Sequence, residues 1–374
     1  MKIVHASINH SPTDDRILFR EALSLNKRYE NISIIGVGHK EEIQFHDEIK
    51  LITILKNNLF NMIANIKTVI KNESPDILHI HDPFLLPIAN KFQKSGVKII
   101  YDVHENHYLT FKLFSKRKSF LKNIFASILR LLEKYYSKKV DSIITVTPKL
   151  NKYFLQFNPN TYEIRNYPNA NTFEKNEDEK LTEEINNFKQ NDLLIIYVGQ
   201  ISIKRNLHLA ILTTKRLREL NFKIKFLAIG SGEKSDIYFY KFFENNYADF
   251  FKLLPAIPHQ NIQQVLKQSD IGWAVLPYED NFLFSFPNKI FEYMSARIPF
   301  ISSNLYYVKK IADDTNSGII VEELIADDIA EKIANYILDN KLQQLGENGK
   351  KYFESEYNWN SQEVILFEIY SNLF

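Results

Sequence analysis

Short runs of branched apolar residues alternate with helical patterns twice along the chain, and that rhythm constrains the fold more than any single motif. The first series comprises Ile3-Val4-His5-Ala6, a helical pattern from Ile17 to Leu25, then Ile32–Val37, Ile77–Ile80, Val97–Tyr101 and Ser142–Val146. Each apolar run has the length and β-branching of a buried strand, and the segments between them are long enough for the crossovers that parallel strands need. A polar, acidic stretch from Asn171 to Glu184 interrupts the series. It restarts at Leu193–Val198 and continues through Ile224–Ile229, Ile271–Val275, Phe300–Ser302 and Gly318–Val321. The expected class is α/β: two Rossmann-like, doubly wound parallel-sheet domains facing each other across a cleft, with ligands at the carboxyl ends of the strands. The boundaries that follow are a first domain over 1–170, a linker over 171–190, a second domain over 191–357, and a helix over 358–374 that crosses back to the first.

Composition excludes several classes. A chain of 374 residues suffices for two cores, and 45% hydrophobic with 25% charged residues is the balance of a globular protein. The net charge of +2 favours no partner in bulk, so a basic site must be local. With no cysteine, disulfides, zinc–thiolate centres and cysteine nucleophiles are ruled out. The segment Met1–Ile8 is too short and interrupted for a signal peptide, and no run of about 18 apolar residues would span a membrane, so a cytoplasmic location is expected.

The stretch Ser285-Phe286-Pro287-Asn288-Lys289-Ile290-Phe291-Glu292-Tyr293-Met294-Ser295-Ala296 reads as a loop entering a helix. Free N–H groups and the positive end of the helix dipole meet a lysine there, which makes an anion seat. Glu292 lies about one turn in, within reach of hydroxyls attached to the same anion, such as those of a ribose. A nucleoside diphosphate fits both halves. The alternative is an ordinary amphipathic helix with proline near its first turn and a solvated glutamate.

The other polar clusters also follow strands. In Asn9-His10-Ser11-Pro12-Thr13-Asp14-Asp15-Arg16, helix capping accounts for either aspartate but not for His10 or Arg16. His79 and His81 share one face of a strand and Asp82 follows. A metal reading lacks a glutamate or third histidine at a recognisable spacing, so a strand-end turn is preferred and no metal is expected. Asp102 and His104 share a face at the next strand's exit, where an imidazole can bind a sugar hydroxyl or move a proton, and Glu105 follows. In the second half, Gly199-Gln200 turns the chain toward Lys204 and Arg205, and Gly230-Ser231-Gly232 lets backbone approach a ligand. A third glycine at the dinucleotide spacing is missing, which disfavours a nicotinamide enzyme.

Taken together, these segments resemble glycosyltransferase family 4, retaining enzymes with the two-domain GT-B fold. The resemblance runs from Asn9–Arg16 through Gly199 and Arg205 to Pro287–Met294, and Tyr357-Asn358-Trp359 is similar to the family's crossover into a final helix. It implies a nucleotide-sugar donor, UDP or GDP, on the second domain and a glycan acceptor on the first, in bacterial surface-polysaccharide or glycoconjugate assembly. It gives Arg205 the diphosphate, Glu292 the ribose and His104 the donor sugar. Two departures stand out: Phe284 occupies the position of the first glutamate of the family's pair, and Gln200 that of an arginine after the glycine. Ser285, Pro287 and the N–H groups of Asn288 and Lys289 are then expected to take over sugar contacts, with Lys289 restoring the charge. His10, Arg16, His81, Asp82, His104 and Glu105 form the expected acceptor side. Hexosyl transfer without a metal or other cofactor is expected. A catalytically silent nucleotide-sugar scaffold or a GT-B-like epimerase is the alternative, and no motif supports the pyridoxal lysine of a phosphorylase.

Over 112–139 the chain carries nine basic residues, Lys112, Lys116, Arg117, Lys118, Lys122, Arg130, Lys134, Lys138 and Lys139, against the single acid Glu133. Leu121, Ile124, Phe125, Ile128, Leu132 and Tyr135 recur at helical spacing among them. Either the apolar stripe packs on the core, or it lies on an anionic membrane surface at the inner face of the cell membrane and brings a lipid-linked acceptor. No nucleic-acid-binding signature accompanies the charges.

Overall fold

Strand alternation translates directly into two parallel sheets. The computed structural model describes residues 1–109, 119–169, 178–283 and 286–374. The first sheet holds β1 (Lys2–Ala6), β2 (Asn31–Gly38), β3 (Glu42–His46), β4 (Ile49–Leu55), β5 (Ile77–Ile80), β6 (Lys98–Val103), β7 (Ser142–Thr145) and β8 (Thr161–Glu163). Their order is β3-β4-β2-β1-β5-β6-β7-β8, parallel except for the β3–β4 hairpin. The second sheet holds β9 (Leu193–Val198), β10 (Ile224–Ile229), β11 (Phe251–Leu254), β12 (Ile271–Trp273), β13 (Phe300–Ser303) and β14 (Gly318–Val321), in the order β11-β10-β9-β12-β13-β14 and parallel throughout. β3 has no counterpart in the apolar rhythm because it is solvent-exposed along most of its length, whereas β4 is largely buried yet was not among the apolar runs. The hairpin turn uses Asp47 and Glu48 at φ 46° and 70°, without the glycine that usually betrays a primed turn.

By contacts the chain divides into Met1–Asn166 with Trp359–Phe374, and Tyr167–Asn358. Each sheet is buried on both faces, as parallel sheets require. In the first unit Val4, Ala6, Leu78, Ile80 and Tyr101 enter one core, while Ile3, Ile77, Ile100 and Ile144 enter another with Trp359 and Tyr370. The helix Trp359–Ser371 is therefore part of the first unit's core, and the Trp359 indole donates to Ser24 Oγ at 2.8 Å. Burying a ring of that size contributes about 4–6 kcal/mol before entropy is counted.

Residues 171–190 are not a plain linker. They contain the helix Glu179–Lys189, which is capped by the Asp178 carboxylate and buries Leu181 and Ile185 in the second unit. The acidic composition masks that i,i+4 apolar pair.

Candidate active site

Both sheets reverse their winding direction once beside a central strand, and both polar clusters sit there. In the first sheet β1 lies between β2 and β5; in the second β9 lies between β10 and β12. Crevices at the carboxyl ends of such strands are the general ligand sites of doubly wound folds.

In the first unit, strand register assembles the cluster. His5 lies beside His79, and His79 beside Ile100, so residues at alternate positions, His5, then His79 and His81, then Asp102, share one sheet face. The segment Asp15–Ala22 covers that face. It begins at Asp14, whose carboxylate accepts the N–H groups of Arg16 and Ile17, and it winds as a π-helix. The wide turn matters, because residues five apart stand about 140° apart on an α-helix but come together on a π-turn. Arg16 Nε therefore reaches Glu21 Oε1 at 3.0 Å, and Arg20 pairs with Asp15 in the same way. Arg16 also grips Asp102 with two hydrogen bonds, Nε to Oδ2 at 2.7 Å and Nη2 to Oδ1 at 3.1 Å.

The network runs outward from there. Asp102 Oδ2 lies 3.0 Å from His104 Nε2, which lies 3.1 Å from His81 Nδ1; His81 Nε2 lies 3.1 Å from His5 Nδ1. Burial, then the Arg16 charge and His104, act on Asp102, and its carboxyl is held well below the usual range. His81 is pulled down to about 4 by burial, against the opposing pull of Asp102. His5 and His79 are lowered well below 6.5 mainly by burial, so all three imidazoles are neutral near pH 7. His10 differs. Burial would lower it, but its 2.8 Å contact with Asp14 prevails and its pKa is raised.

The acceptor-side expectation separates into two groups here. Arg16, His81 and Asp82 are buried, at 4%, 1% and 1% exposure, and their polar atoms are engaged inside the unit. Asp82 accepts from Ser7 Oγ at 2.7 Å, from the Ile8 N–H at 2.8 Å and from the Asn9 amide, so it clasps the loop after β1. In this structure these three hold strands and loops of the unit together. His10, His104 and Glu105 reach solvent. His5, Glu21, Ser7 and Tyr370 were not anticipated. Polar residues at alternate positions in three strands were the available signal for His5, whereas the π-turn concealed Glu21.

In the second unit, backbone does the shaping. Gly199 follows β9 with φ 146°, and its N–H donates to Ile229 O at 2.9 Å. A Cβ on Gly230 would stand 1.7 Å from Gly199 O, and one on Gly232 would stand 2.1 Å from Ile201 O, so both glycines are required by close strand-end packing. The helix Asn288–Ser295 starts after Pro287, which makes no side-chain cap, and in its first turn the Ile290 N–H donates to Pro287 O at 3.1 Å. Lys289 extends from its first turn toward Gly199, and the ammonium rests 3.5 Å from the centre of the Tyr197 ring. Its Nζ is buried without a hydrogen-bond partner. Burial and, second, the Arg205 charge push its pKa well below 10.5, with Glu292 opposing. Arg205 Nη2 donates to Gln200 Oε1 at 3.3 Å, so the residue that departs from the family pattern contacts the guanidinium. Glu292 is half-buried on the same helix as Lys289. Ser285 and Phe284 lie outside the described residues.

The helix Ser119–Ser137 buries Ala126, Leu129, Glu133 and Ser137. Glu133, the one acid among the basic residues, faces inward and accepts from the Tyr101 hydroxyl at 2.6 Å, and burial pushes its carboxyl up to about 7. Ile124, Ile128, Leu131, Leu132 and Tyr135 are exposed, Leu131 by 68%. The basic residues Lys112, Lys116, Arg117 and Lys118 lie outside the described residues. No described helix is long and apolar enough to cross a membrane.

Comparison with known proteins agrees with this geometry. Residues 178–352 match the profile described as "Glycosyl transferases group 1", and residues 36–166 match "Glycosyltransferase Family 4". The chain is similar to the capsular polysaccharide biosynthesis glycosyltransferase CapM of Staphylococcus aureus, with 23% identity over 93% of this chain and 90% of that protein. Among solved structures, sucrose-phosphate synthase from Thermosynechococcus elongatus superposes with a TM-score of 0.77 at 14% identity, covering 100% of this chain and 99% of the other. Anabaena Alr3699/HepE in complex with UDP-glucose gives 0.73 at 12% identity, covering 100% of both chains. Two parallel-sheet α/β domains, each with its polar cluster at a switch point and each matched by a transferase profile, make this chain a member of the family 4, group 1 glycosyltransferases with the GT-B fold.

Proposed function

We propose that this chain transfers a hexose from a nucleoside-diphosphate sugar, UDP- or GDP-linked, to a glycan acceptor with retention of anomeric configuration, and that the acceptor is lipid-linked during surface-polysaccharide assembly. The observation that carries the donor half is Lys289: a buried ammonium without a hydrogen-bond partner, at an uncapped helix N-terminus and beside Gly199. A diphosphate supplies the missing partner for the ammonium and meets the positive end of the helix. As the anomeric C–O bond breaks, negative charge grows on the leaving phosphate, where Lys289, Arg205 and the helix dipole stabilise it. The donor thus meets enough positive charge for a leaving group that needs no divalent ion. A leaving phosphate oxygen accepts the acceptor's proton on the same face of the sugar, so no protein nucleophile is required. Glu292, part-way along the same helix, takes the ribose hydroxyls. Pro287, Asn288, Gly230 and Gly232 shape the backbone around the donor.

Similarity to the capsular polysaccharide transferase supports the glycan acceptor, and the UDP-glucose bound by Alr3699/HepE supports the donor class. The outward apolar stripe of Ser119–Ser137, close to Lys134, Lys138 and Lys139, supports attachment to an anionic membrane surface at the cytoplasmic face. Thermal-shift screening against UDP-, GDP-, ADP- and TDP-sugars tests the donor. Stabilisation by a UDP- or GDP-sugar is expected, and no response to any would overturn the reading. Binding without sugar turnover, when acceptor lipid extracts are added, would favour a scaffold instead.

A further inference from the structure

In the first unit's core, His5, Glu21, His79 and His81 converge with no chemistry assigned to the convergence. One donor atom from each lies within 4.8 Å of all the others, and all four residues are buried. His5 Nδ1 is 3.1 Å from His81 Nε2 and 3.9 Å from Glu21 Oε2, which is 4.0 Å from His79 Nε2. A regular tetrahedron with metal–ligand arms of 2.0–2.1 Å has edges of about 3.3 Å, so the 3.1 Å His5–His81 separation is close to an edge and the 3.9 and 4.0 Å separations to Glu21 shorten by side-chain rotation.

We infer that His5, His79, His81 and Glu21 form a structural zinc site in the core of the first unit. Three further observations favour an ion there over an inert polar knot. First, His79 Nε2 and Glu21 Oε2 are buried without a hydrogen-bond partner, in a protein interior where such atoms are rare. Second, the outer nitrogens of His79 and His81 are already held, while the outer Nε2 of His5 is buried without a hydrogen-bond partner. His79 Nδ1 lies 2.8 Å from the Tyr370 hydroxyl, and His81 Nδ1 lies 3.4 Å from Asp102 Oδ2. Such partners fix the tautomer and ring orientation of metal-bound imidazoles. Third, two buried carboxylates, Asp102 and Glu21, contact the single Arg16 guanidinium. Arg16 occupies the Oε1 side of Glu21, and Oε2 turns to the imidazoles, where a cation balances the remaining charge. Three imidazoles and one carboxylate are a donor set that suits zinc. The four ligands fill a closed tetrahedral shell, which assigns the ion to stability. It is separate from the donor residues of the other unit.

Because every ligand is buried, the ion enters during folding and native protein resists chelators. Whole protein purified without chelator should release about one zinc per chain to a colorimetric chelator only after unfolding in guanidinium. Wild-type protein refolded with zinc should melt several degrees above protein refolded with EDTA, and refolding with Co2+ should give the visible absorption of a tetrahedral site. Glu21→Gln and His79→Phe should lose the metal and the zinc-dependent shift. Should a variant fail to fold, the wild-type refolding comparison decides alone. Absence of released metal, with zinc and Co2+ leaving melting and absorption unchanged, would overturn the proposal and leave Glu21 as a protonated carboxyl.

Discussion

The two units place charge at their strand ends in opposite ways. In the first, Arg16 is sealed among carboxylates that satisfy it: Asp102 bidentately and Glu21 from the next turn of the π-helix. In the second, Lys289 is equally buried yet lacks a hydrogen-bond partner. A cation closed by its own protein's anions contributes to the fold, whereas one left open is poised for an anion from solution. The same sheet architecture thus pairs its buried cation in one unit and leaves it without a hydrogen-bond partner in the other.

Substitution at the two cations tests that contrast most sharply. Arg16→Met leaves two buried carboxylates without their partner and should cost about 3–5 kcal/mol in chemical denaturation. Lys289→Met should do the reverse: transfer measured as kcat/KM falls about 10²–10³-fold, while the ligand-free protein melts no lower than the parent. Comparable loss of stability in both variants would break the contrast.

Glu133 adds a third case, a buried acid facing a neutral phenol. Its pKa is raised from 4.5 to about 7, so its favourable contribution is complete below pH 4.5 and is lost as pH climbs to 7. Glu133→Gln should therefore match the parent near pH 4.5 and exceed it by about 3 kcal/mol at pH 8, read from denaturation at the two pH values. A constant difference across that range would refute the inward, uncompensated placement.

Gly230→Ala probes the backbone side of the open site. Its methyl group would meet Gly199 O at 1.7 Å, so the strand ends must separate. A stability loss of about 1–3 kcal/mol, with weaker donor-induced stabilisation in thermal shift, is expected. The smallest effect concerns the surface. Replacing Leu131 and Tyr135 by Gln should reduce flotation with anionic liposomes without altering melting, because both side chains are exposed, by 68% and 55%. Unchanged flotation would remove this helix from the membrane reading.

Periodicity revealed ten of the parallel strands because burial on both faces imposes apolar runs on them, but it passed over the parallel strands β4, β8 and β11. It could not reveal β3, whose side chains are mostly solvated, or the helix Glu179–Lys189, whose apolar pair is diluted by acids. The turn at Gly199 and the helix start after Pro287 were legible since glycine and proline act locally through backbone geometry. The histidine cluster was only half legible. His79 and His81 share a strand, but their meeting with His5 depends on register and with Glu21 on a π-turn, neither written in local spacing. The contact of Gln200 with Arg205, five residues on, was likewise not written in the sequence.

The return of Trp359–Ser371 to the first unit sets a schedule for synthesis. A ribosome delivers Met1–Asn166 first, but that unit's core lacks Trp359 and Tyr370, and His79 lacks its phenol partner, until the whole of Tyr167–Asn358 has emerged. Domains generally fold in the order they are made. Here the second unit is free to finish while the first still waits for its helix, so a nascent chain leaves one face of the first sheet partly uncovered until Trp359–Ser371 has emerged.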